Sequence, residues 1–409
     1  MSRDGRTPAI AESTLDKLLA TKEIVVFAGS GGVGKTSAAA ATAAAAAANL
    51  GGKVLVLTVD PARRLADALG VDGIGNVERR IPPEKFKEAG IEPRGELWAA
   101  MLDTKQAWDA LVLQHTPDEA TAYRILENPL YHNITSRFVQ SHDYIAMERL
   151  YELHQTGKYD LIIIDTPPTR NALDFLEAPK RMADFFGGRL LRWLTAPYRA
   201  GQGRGARVFE VAAKPFYQVA DRILGGQFLH DIGEFFFNFQ TMYDGFVERA
   251  LAVERLLHDH RTTFAVVSTL EAAPLREAQV FCMELADRGF HLGAIVLNKA
   301  LPDYFLDEGA RTAAGLLAEQ PEPPATALSS IGVTALAEVD ATARVLRTLG
   351  ESFQNFEVVA KRETELRTQL AVTAEVVTRI PYFEVDIYDL GGLTRMGSHL
   401  FNTTEGEGA

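Results

Sequence analysis

The stretch FAGSGGVGKTSAAAA, Phe27–Ala41, decides the fold of this chain. The apolar run EIVVFAG (23–29) leads into it and is typical of a strand buried on both faces. The alanine-rich run that follows the glycines predicts a helix over 34–50, and KVLVLTVD (53–60) predicts a second strand. Strand, helix and strand in this order form a βαβ unit, whose crossover makes the two strands parallel.

Later apolar runs repeat this pattern and predict a doubly wound, mostly parallel α/β sheet. They are ELWAAMLD (96–103), YDLIIID (159–165), TTFAVVST (262–269) and LGAIVLN (292–298), with a helix at 272–288. Residues 179–260 interrupt the alternation with helical patterning. We therefore expect one domain over 1–409, with an inserted helical subdomain at 179–260.

The C-terminal part of the chain carries three further expectations. QPEPPAT (320–326) indicates an exposed turn, and a long helix is expected over roughly 335–375. Leu349, Phe353, Phe356 and Ala360 share one face of that helix. The tail at 403–409 is expected to be disordered because it lacks apolar residues large enough to pack.

Residues 29–36 fit the phosphate-binding pattern G-x-x-x-x-G-K-[ST] without a gap. Successive N–H groups of such a loop surround phosphate oxygens, and the helix N-terminus adds partial positive charge. Lys35 is expected to reach the β- and γ-phosphates and to act in catalysis, and Thr36 to place its hydroxyl on Mg²⁺. The predicted nucleotide-binding set is Gly29, Ser30, Gly31, Gly32, Val33, Gly34, Lys35, Thr36 and Ser37. A glycine-rich turn without a ligand is the alternative, and the flanking strand and helix argue against it. The predicted fold class is thus a P-loop NTPase type of α/β sheet.

Three polar residues at strand ends complete the predicted site. Asp165 ends LIIID, where a carboxylate meets Mg²⁺ through water. Asp60 ends the second strand and is placed to orient the attacking water near the metal. Asn298 ends a later strand, where an amide can pair with adenine. A helix cap or turn is the structural alternative for each of them, and the adjoining phosphate loop favours the ligand-binding interpretation.

Composition restricts the compartment and the partners. The formal net charge of −12 disfavours general nucleic-acid binding, which needs a basic face. Cys282 is the single cysteine, so no disulfide forms within the chain and no cysteine-based metal site can be built. No apolar run reaches the length of a membrane-spanning helix. We expect a cytoplasmic protein without a direct membrane span.

The motifs GSGGVGKT, DPARRLADALG, DTPPT and NK, in this order and spacing, resemble those of the ATPases of the arsenite pump and of tail-anchored membrane-protein targeting. The resemblance extends from about residue 22 to 388 and includes RTTFAVVSTLEAAPLREA and RIPYFE. It implies a bacterial member of this P-loop family that binds ATP and Mg²⁺ and forms dimers. It also implies that Asp60 is the catalytic aspartate of switch I, that residues 165–169 form switch II and that Asn298 faces adenine.

The sequence departs from this family at three points. Ser30 stands where the family usually has a signature lysine that reaches the partner's phosphates, and Arg63 or Arg64 is a candidate substitute for its charge. Arg170-Asn171 replaces the Gly-His that often follows switch II. A single cysteine excludes both the metalloid site of the arsenite members and the dimer zinc of the eukaryotic targeting members.

The helical insertion contains two apolar segments with open interpretations. Nine apolar residues share one helical face between 228 and 257 and predict either packing on the sheet, which we favour, or a groove for a client helix. They are Phe228, Ile232, Phe235, Phe236, Phe239, Met242, Phe246, Ala250 and Leu257. For the segment MADFFGGRLLRWLTAPY (182–198), packing in the core and forming a client groove are equally favoured interpretations.

These observations predict a dimeric Mg²⁺-ATPase whose helical subdomain handles a hydrophobic or membrane-associated client protein. Two other functions stay open. One is a weakly hydrolysing nucleotide-binding regulator or one half of a heterodimer, which the missing signature lysine suggests. The other is the ATPase subunit of an anion transporter.

Overall fold

The computed structural model describes most of the chain on both sides of the predicted insertion. The described residues are 14–59, 64–71, 73–137, 139–167, 176–178, 180–181, 184, 232, 235–239, 242–330, 338–370 and 374–401. Asp60, all of the segment 182–198 except Asp184, and the tail at 403–409 lie outside them.

The strands within the described residues form one mostly parallel sheet. They are β1 (Ile24–Ala28), β2 (Lys53–Thr58), β3 (Arg79–Arg80), β4 (Glu96–Met101), β5 (Leu161–Asp165), β6 (Thr262–Ser268), β7 (Leu292–Ala300) and β8 (Val376–Pro381). Their order is β3-β4-β2-β5-β1-β6-β7-β8, and only the β3–β4 pairing is antiparallel. The doubly wound α/β prediction is confirmed.

Helices cover both faces of the sheet. From the N-terminus to β5 they are α1 (Leu15–Leu19), α2 (Lys35–Asn49), α3 (Arg64–Leu69), α4 (Pro83–Glu88), α5 (Thr104–His115), α6 (Glu119–Leu126), α7 (Pro129–Arg137) and α8 (Val139–Gln155). After β5 they are α9 (Tyr243–Leu257), α10 (Ala272–Asp287), α11 (Glu308–Glu319), α12 (Glu322–Ser329), α13 (Val339–Leu370) and α14 (Leu390–Leu400). No helix among the described residues is both long and apolar enough to cross a bilayer.

Alternate residues of the strands pack into two separate hydrophobic cores, one on each face of the sheet. On β1, Ile24 and Val26 point into the core that α5, α8, α9 and α10 cover, whereas Val25 and Phe27 point to the side of α2. Nearly every alanine of α2 is buried. The small side chains let helices pack closely: a Cβ added to Gly397 of α14 would lie 2.7 Å from the Cβ of Ala45. The alanine run is thus the packing surface of a helix enclosed between sheet and helices.

The phenylalanine-rich face of the insertion packs into the first core. Phe235, Phe239 and Phe246 are 1–3% exposed, and Phe239 stacks on Phe246 with 5.3 Å between ring centroids. Ile232 packs against the same cluster, and Phe228 is outside the described residues. The core interpretation is confirmed for the described part of this face.

One C-terminal expectation is wrong and another is confirmed. α12 covers most of QPEPPAT, because prolines in the first turn of a helix remove only N–H groups that would have no partner there. The long helix is confirmed as α13; on its face of apolar residues, Ala360 is 4% exposed, whereas Leu349 and Phe356 are 56% and 49% exposed. α11 and α12 pack against α13.

Candidate functional site

The phosphate loop connects β1 to α2 at the centre of the sheet. β1 lies between β5 and β6, so the loop emerges at the carboxyl ends of three parallel strands. A Cβ on Gly29 would lie 2.3 Å from the carbonyl oxygen of Val267 on β6. Gly34 caps α2 with φ of +87°, and its Cβ would lie 2.1 Å from Nδ2 of Asn298. A side chain at Gly29 would therefore displace the backbone of β6, and one at Gly34 would displace the side chain of Asn298.

Lys35 is the buried cation of this site. Its side chain is 5% exposed, and Nζ donates a hydrogen bond to Oδ1 of Asp165 at 3.0 Å. A second hydrogen bond goes to the carbonyl oxygen of Thr166. The other carboxylate oxygen of Asp165 accepts from the Thr58 hydroxyl at 2.9 Å. A buried positive charge is thus paired with the carboxylate at the end of β5, and each oxygen of that carboxylate accepts a hydrogen bond.

Sheet register explains why these side chains meet. Phe27 and Thr58 both lie level with Asp165, because β5 pairs with β1 on one side and with β2 on the other. The Thr166 hydroxyl donates to the carbonyl oxygen of Phe27 at 2.8 Å, which fixes the start of the segment after β5. Lys35 therefore contacts the first residues of the predicted switch II, and Thr58, two residues before Asp60, donates to the same aspartate.

Asn298 lies against the phosphate loop. Its Nδ2 donates to the carbonyl oxygen of Val33 at 2.8 Å, and its Oδ1 accepts the N–H of Lys299 at 2.9 Å. One amide hydrogen and one lone pair are left for a further partner, such as the adenine expected from the sequence. Lys299 has φ of +57°, the only positive value among the described non-glycine residues.

Ser30 has a partner that the sequence did not suggest. Its hydroxyl donates to Oε2 of Glu277 on α10 at 2.5 Å. The predicted position of the signature lysine is thus tied to an acidic side chain of this same chain. Glu277 is exposed, so its carboxylate lies at the surface beside the loop.

The remaining predicted residues are divided between the loop, the helix and the part of the chain that is not described. Gly31 and Gly32 are exposed, and Val33 is buried. Thr36 and Ser37 are half-buried in the first turn of α2, and their hydroxyls make no hydrogen bond to the described residues. Asp60, Arg63 and 168–175 lie outside the described residues, as does the side chain of Arg64.

The donor set suits a nucleotide and a hard cation. The loop offers backbone N–H groups at the start of α2, Lys35 offers a mobile ammonium group, and the Thr36 hydroxyl is free of protein partners in the described chain. Oxygen donors are those that Mg²⁺ prefers. Thr36 and Asp165 would hold it, and Asp165 would exchange a protein donor for metal-bound water.

Comparison with known proteins identifies the family. The family model described as anion-transporting ATPase matches residues 22–314. The chain belongs to this ATPase family. A protein from Aquifex aeolicus named arsenical pump-driving ATPase 1 is 25% identical over 296 residues, covering 70% of this chain and 65% of the relative. A second protein from that organism, named arsenical pump-driving ATPase 2, is 25% identical over 70% of this chain and 82% of its own. The protein named ATPase GET3 from Malassezia globosa is 23% identical over 70% and 76% of the two chains.

Two residues of this ATPase site escaped the sequence analysis. Thr58 is a polar residue in the apolar strand KVLVLTVD, and that interruption was the available signal. Glu277 lies 247 residues after Ser30, and no spacing rule connects the two. Only the positions of β6 and α10 beside β1 bring Glu277 to the loop.

Proposed function

We propose that this chain binds ATP with Mg²⁺ at the loop 29–37 and hydrolyses it, and that hydrolysis switches a helical subdomain at 179–260. The observation that carries the proposal is the buried contact of Lys35 with Asp165 and the Thr166 carbonyl. Mg²⁺ would neutralise phosphate charge, and Asp60 would orient the attacking water.

The contacts of Lys35 supply a mechanism for switching. A bound phosphate competes for the Nζ hydrogens, so Lys35 turns from Asp165 and Thr166 toward the nucleotide. Asp165 then loses one hydrogen bond and keeps the one from Thr58, which lies two residues before Asp60. Nucleotide binding therefore changes the interactions at the start of the predicted switch II, and Thr58 links that change to the strand that leads to the predicted switch I.

ATP binding tests the phosphate-loop assignment. Lys35→Ala should weaken ATP binding about ten- to hundredfold, because a charge-assisted hydrogen bond contributes about 1.5–3 kcal/mol. Calorimetry gives the affinity, and Lys53→Ala, which removes an exposed lysine from β2, is the control. Equal affinity of wild type and Lys35→Ala would refute the assignment.

Turnover tests the role of Asp60. Asp60→Asn should bind ATP almost as wild type does and hydrolyse it roughly 10²–10⁴-fold more slowly. Unchanged turnover would leave Asp60 with a structural role only. The second candidate function is a nucleotide-binding regulator. The Ser30–Glu277 hydrogen bond at the signature-lysine position supports it, and very slow turnover of the wild type would favour it.

The client class rests on the family resemblance and on the apolar segment 182–198. We propose a cytoplasmic dimer that takes hydrophobic helical segments in an ATP-dependent manner. ATP-loaded Asp60→Asn protein and nucleotide-free protein should differ in affinity for a labelled transmembrane-type peptide, measured by fluorescence anisotropy. Equal affinities would remove the support for client handling. The names of the Aquifex relatives favour an anion-transporter subunit as the alternative, and a co-purifying integral membrane protein would support it.

A further inference from the structure

A cavity opens at the β8 edge of the sheet, away from the phosphate loop. Its volume is about 440 Å³, and its walls come from the segment after β7, from β8, from α13 and from the end of α14. β6 and β7 lie between β1 and β8. A cavity of this size accommodates a small molecule.

The cavity also lies mainly on the opposite face of the sheet from the loop. Val377 packs against the core beneath α13, while its neighbours Val376 and Ile380 pack on the side of α2 and α14. Arg379, two residues after Val377, shares the α13 side. Asn298 contacts Val33 on the α2 side, so the nucleotide site and the cavity are separate.

Both carboxylates beside the cavity already have donors. Asp303 accepts a two-pronged pair of hydrogen bonds from Arg379 at 2.6 and 2.8 Å. That interaction lowers the pKa of Asp303 and raises that of Arg379. Glu363 accepts the N–H of Leu301 at 3.0 Å, and burial raises its pKa above the ordinary value.

Arg367 lines the cavity without such a partner. Its guanidinium is half-buried and makes no hydrogen bond or ion pair with the described residues. Burial, and to a smaller extent the positive charge of Arg379, lowers the pKa of Arg367, while Asp303 acts in the opposite direction. A positive charge is thus kept partly out of water beside a second one, and an anion in the cavity would compensate it.

We propose that this cavity binds a small anion with two or more acceptor oxygens, a phosphate or a dicarboxylate, with Arg367 as its principal ligand. The planar guanidinium donates two parallel hydrogen bonds to such an anion. His399 of α14 forms part of the wall across β8 and offers a further polar contact. Because Lys35 does not line this cavity, the test of anion binding does not depend on nucleotide binding.

Calorimetric titration tests it with inorganic phosphate and with succinate as separate probes. The background is Lys35→Ala/Asp165→Asn, which removes the phosphate-loop cation together with its buried counterion. At least one probe should bind, and Arg367→Gln should weaken that binding roughly ten- to hundredfold. Phosphate binding alone or succinate binding alone decides which anion class the cavity takes.

Two matched variants separate recognition from general charge and from folding. Arg362→Gln removes an exposed arginine from the same helix and should leave the affinity unchanged. Arg367→Lys keeps the charge but not the two-pronged donor, so its affinity for the anion should lie between those of the background and of Arg367→Gln. It also keeps the test valid if Arg367→Gln lowers the melting temperature too far for calorimetry. Absence of binding by both probes, or equal losses in Arg362→Gln and Arg367→Gln, would overturn the proposal.

Discussion

Gly34 lies where the phosphate loop meets the amide of Asn298, and it shows how closely single residues are fitted at this site. Gly34→Ala places a Cβ 2.1 Å from Nδ2 of Asn298 and strains a left-handed φ. Gly32→Ala strains a similar φ of +81° but meets no atom within 4 Å. Both variants carry a backbone cost of about 1–2 kcal/mol.

We therefore expect Gly34→Ala to lower the free energy of unfolding clearly more than Gly32→Ala. It should also weaken ATP binding, because Asn298 must leave the Val33 carbonyl. Urea denaturation and calorimetry of the two variants measure both effects. If the two substitutions prove equally costly, Asn298 does not restrain the loop.

Cys282 is the residue that bears on metalloid chemistry. It is 5% exposed, and burial raises its pKa to about 11, so its thiol is poorly reactive at neutral pH. We expect slow reaction with a disulfide reagent in the native protein and fast reaction after unfolding.

Arsenite should leave ATP turnover unchanged in wild type and in Cys282→Ser alike, because a soft metalloid needs several thiolates. Stimulation by arsenite that disappears in Cys282→Ser would contradict this prediction and favour the anion-transporter alternative.

Among the elements, α13 gives the sharpest packing test. A Cβ on Gly350 would lie 2.5 Å from the carbonyl oxygen of Ala314 and 2.6 Å from the N of Ala318, so glycine allows α11 and α13 to approach closely. Gly315 on α11 has no atom within 4 Å of its added Cβ. Intrinsic helix propensity alone would favour alanine at both positions by about 1 kcal/mol.

We expect Gly315→Ala to stabilise the protein by about 0.5–1 kcal/mol. Gly350→Ala should destabilise it by about 1–3 kcal/mol, because the added methyl meets backbone atoms that cannot rotate away. Chemical denaturation measures both changes. Stabilisation by both variants would show that the two helices separate at little cost.

At the scale of the whole molecule, an ion network joins the N-terminal end of β1 to α8 and to the turn before β6. Glu23 contacts Nε2 of His154 at 2.8 Å and accepts from Arg261 at 3.1 Å. The His154 contact is the main cause of a lowered pKa for Glu23, burial opposes it, and Arg261 adds to the lowering. A carboxyl with a lowered folded-state pKa stabilises the protein above its unfolded value, and that contribution is lost as the pH falls through the folded value.

The difference in unfolding free energy between wild type and Glu23→Gln should thus be largest above about pH 5 and shrink as the pH falls below the ordinary glutamate value of 4.5. Urea denaturation between pH 5.5 and 3 measures it. Glu84→Gln, an exposed carboxyl on α4, is the control for the change in charge. A difference that stays constant across this range would show that Glu23 does not act through its ionised form.

Local sequence sufficed for the loop and for the strands beside it. An apolar run buried on both faces, followed by glycines, a lysine and an alanine helix, allows few structures, so β1 and α2 could be identified from adjacent residues. The family was identified from the order and spacing of four short motifs along the chain. The sequence analysis missed β8, because VVTRIP alternates buried and half-buried residues at a sheet edge instead of forming a continuous apolar run. The sequence analysis also missed α12, because prolines at the start of a helix resemble the prolines of a turn.

The sequence by itself determined the α/β class, the ATPase family and which loop is expected to hold phosphate, because those properties depend on short local motifs and on their order along the chain. The tertiary structure alone decided the partners of the site residues. Asp165 meets both Lys35 and Thr58 only because β5 lies between β1 and β2, and Ser30 meets Glu277 only because β6 lies on the other side of β1. Likewise, the cavity around Arg367 exists only where β8 ends the sheet against α13. Such contacts join residues more than a hundred positions apart, and strand order, which no local pattern encodes, sets which of them touch.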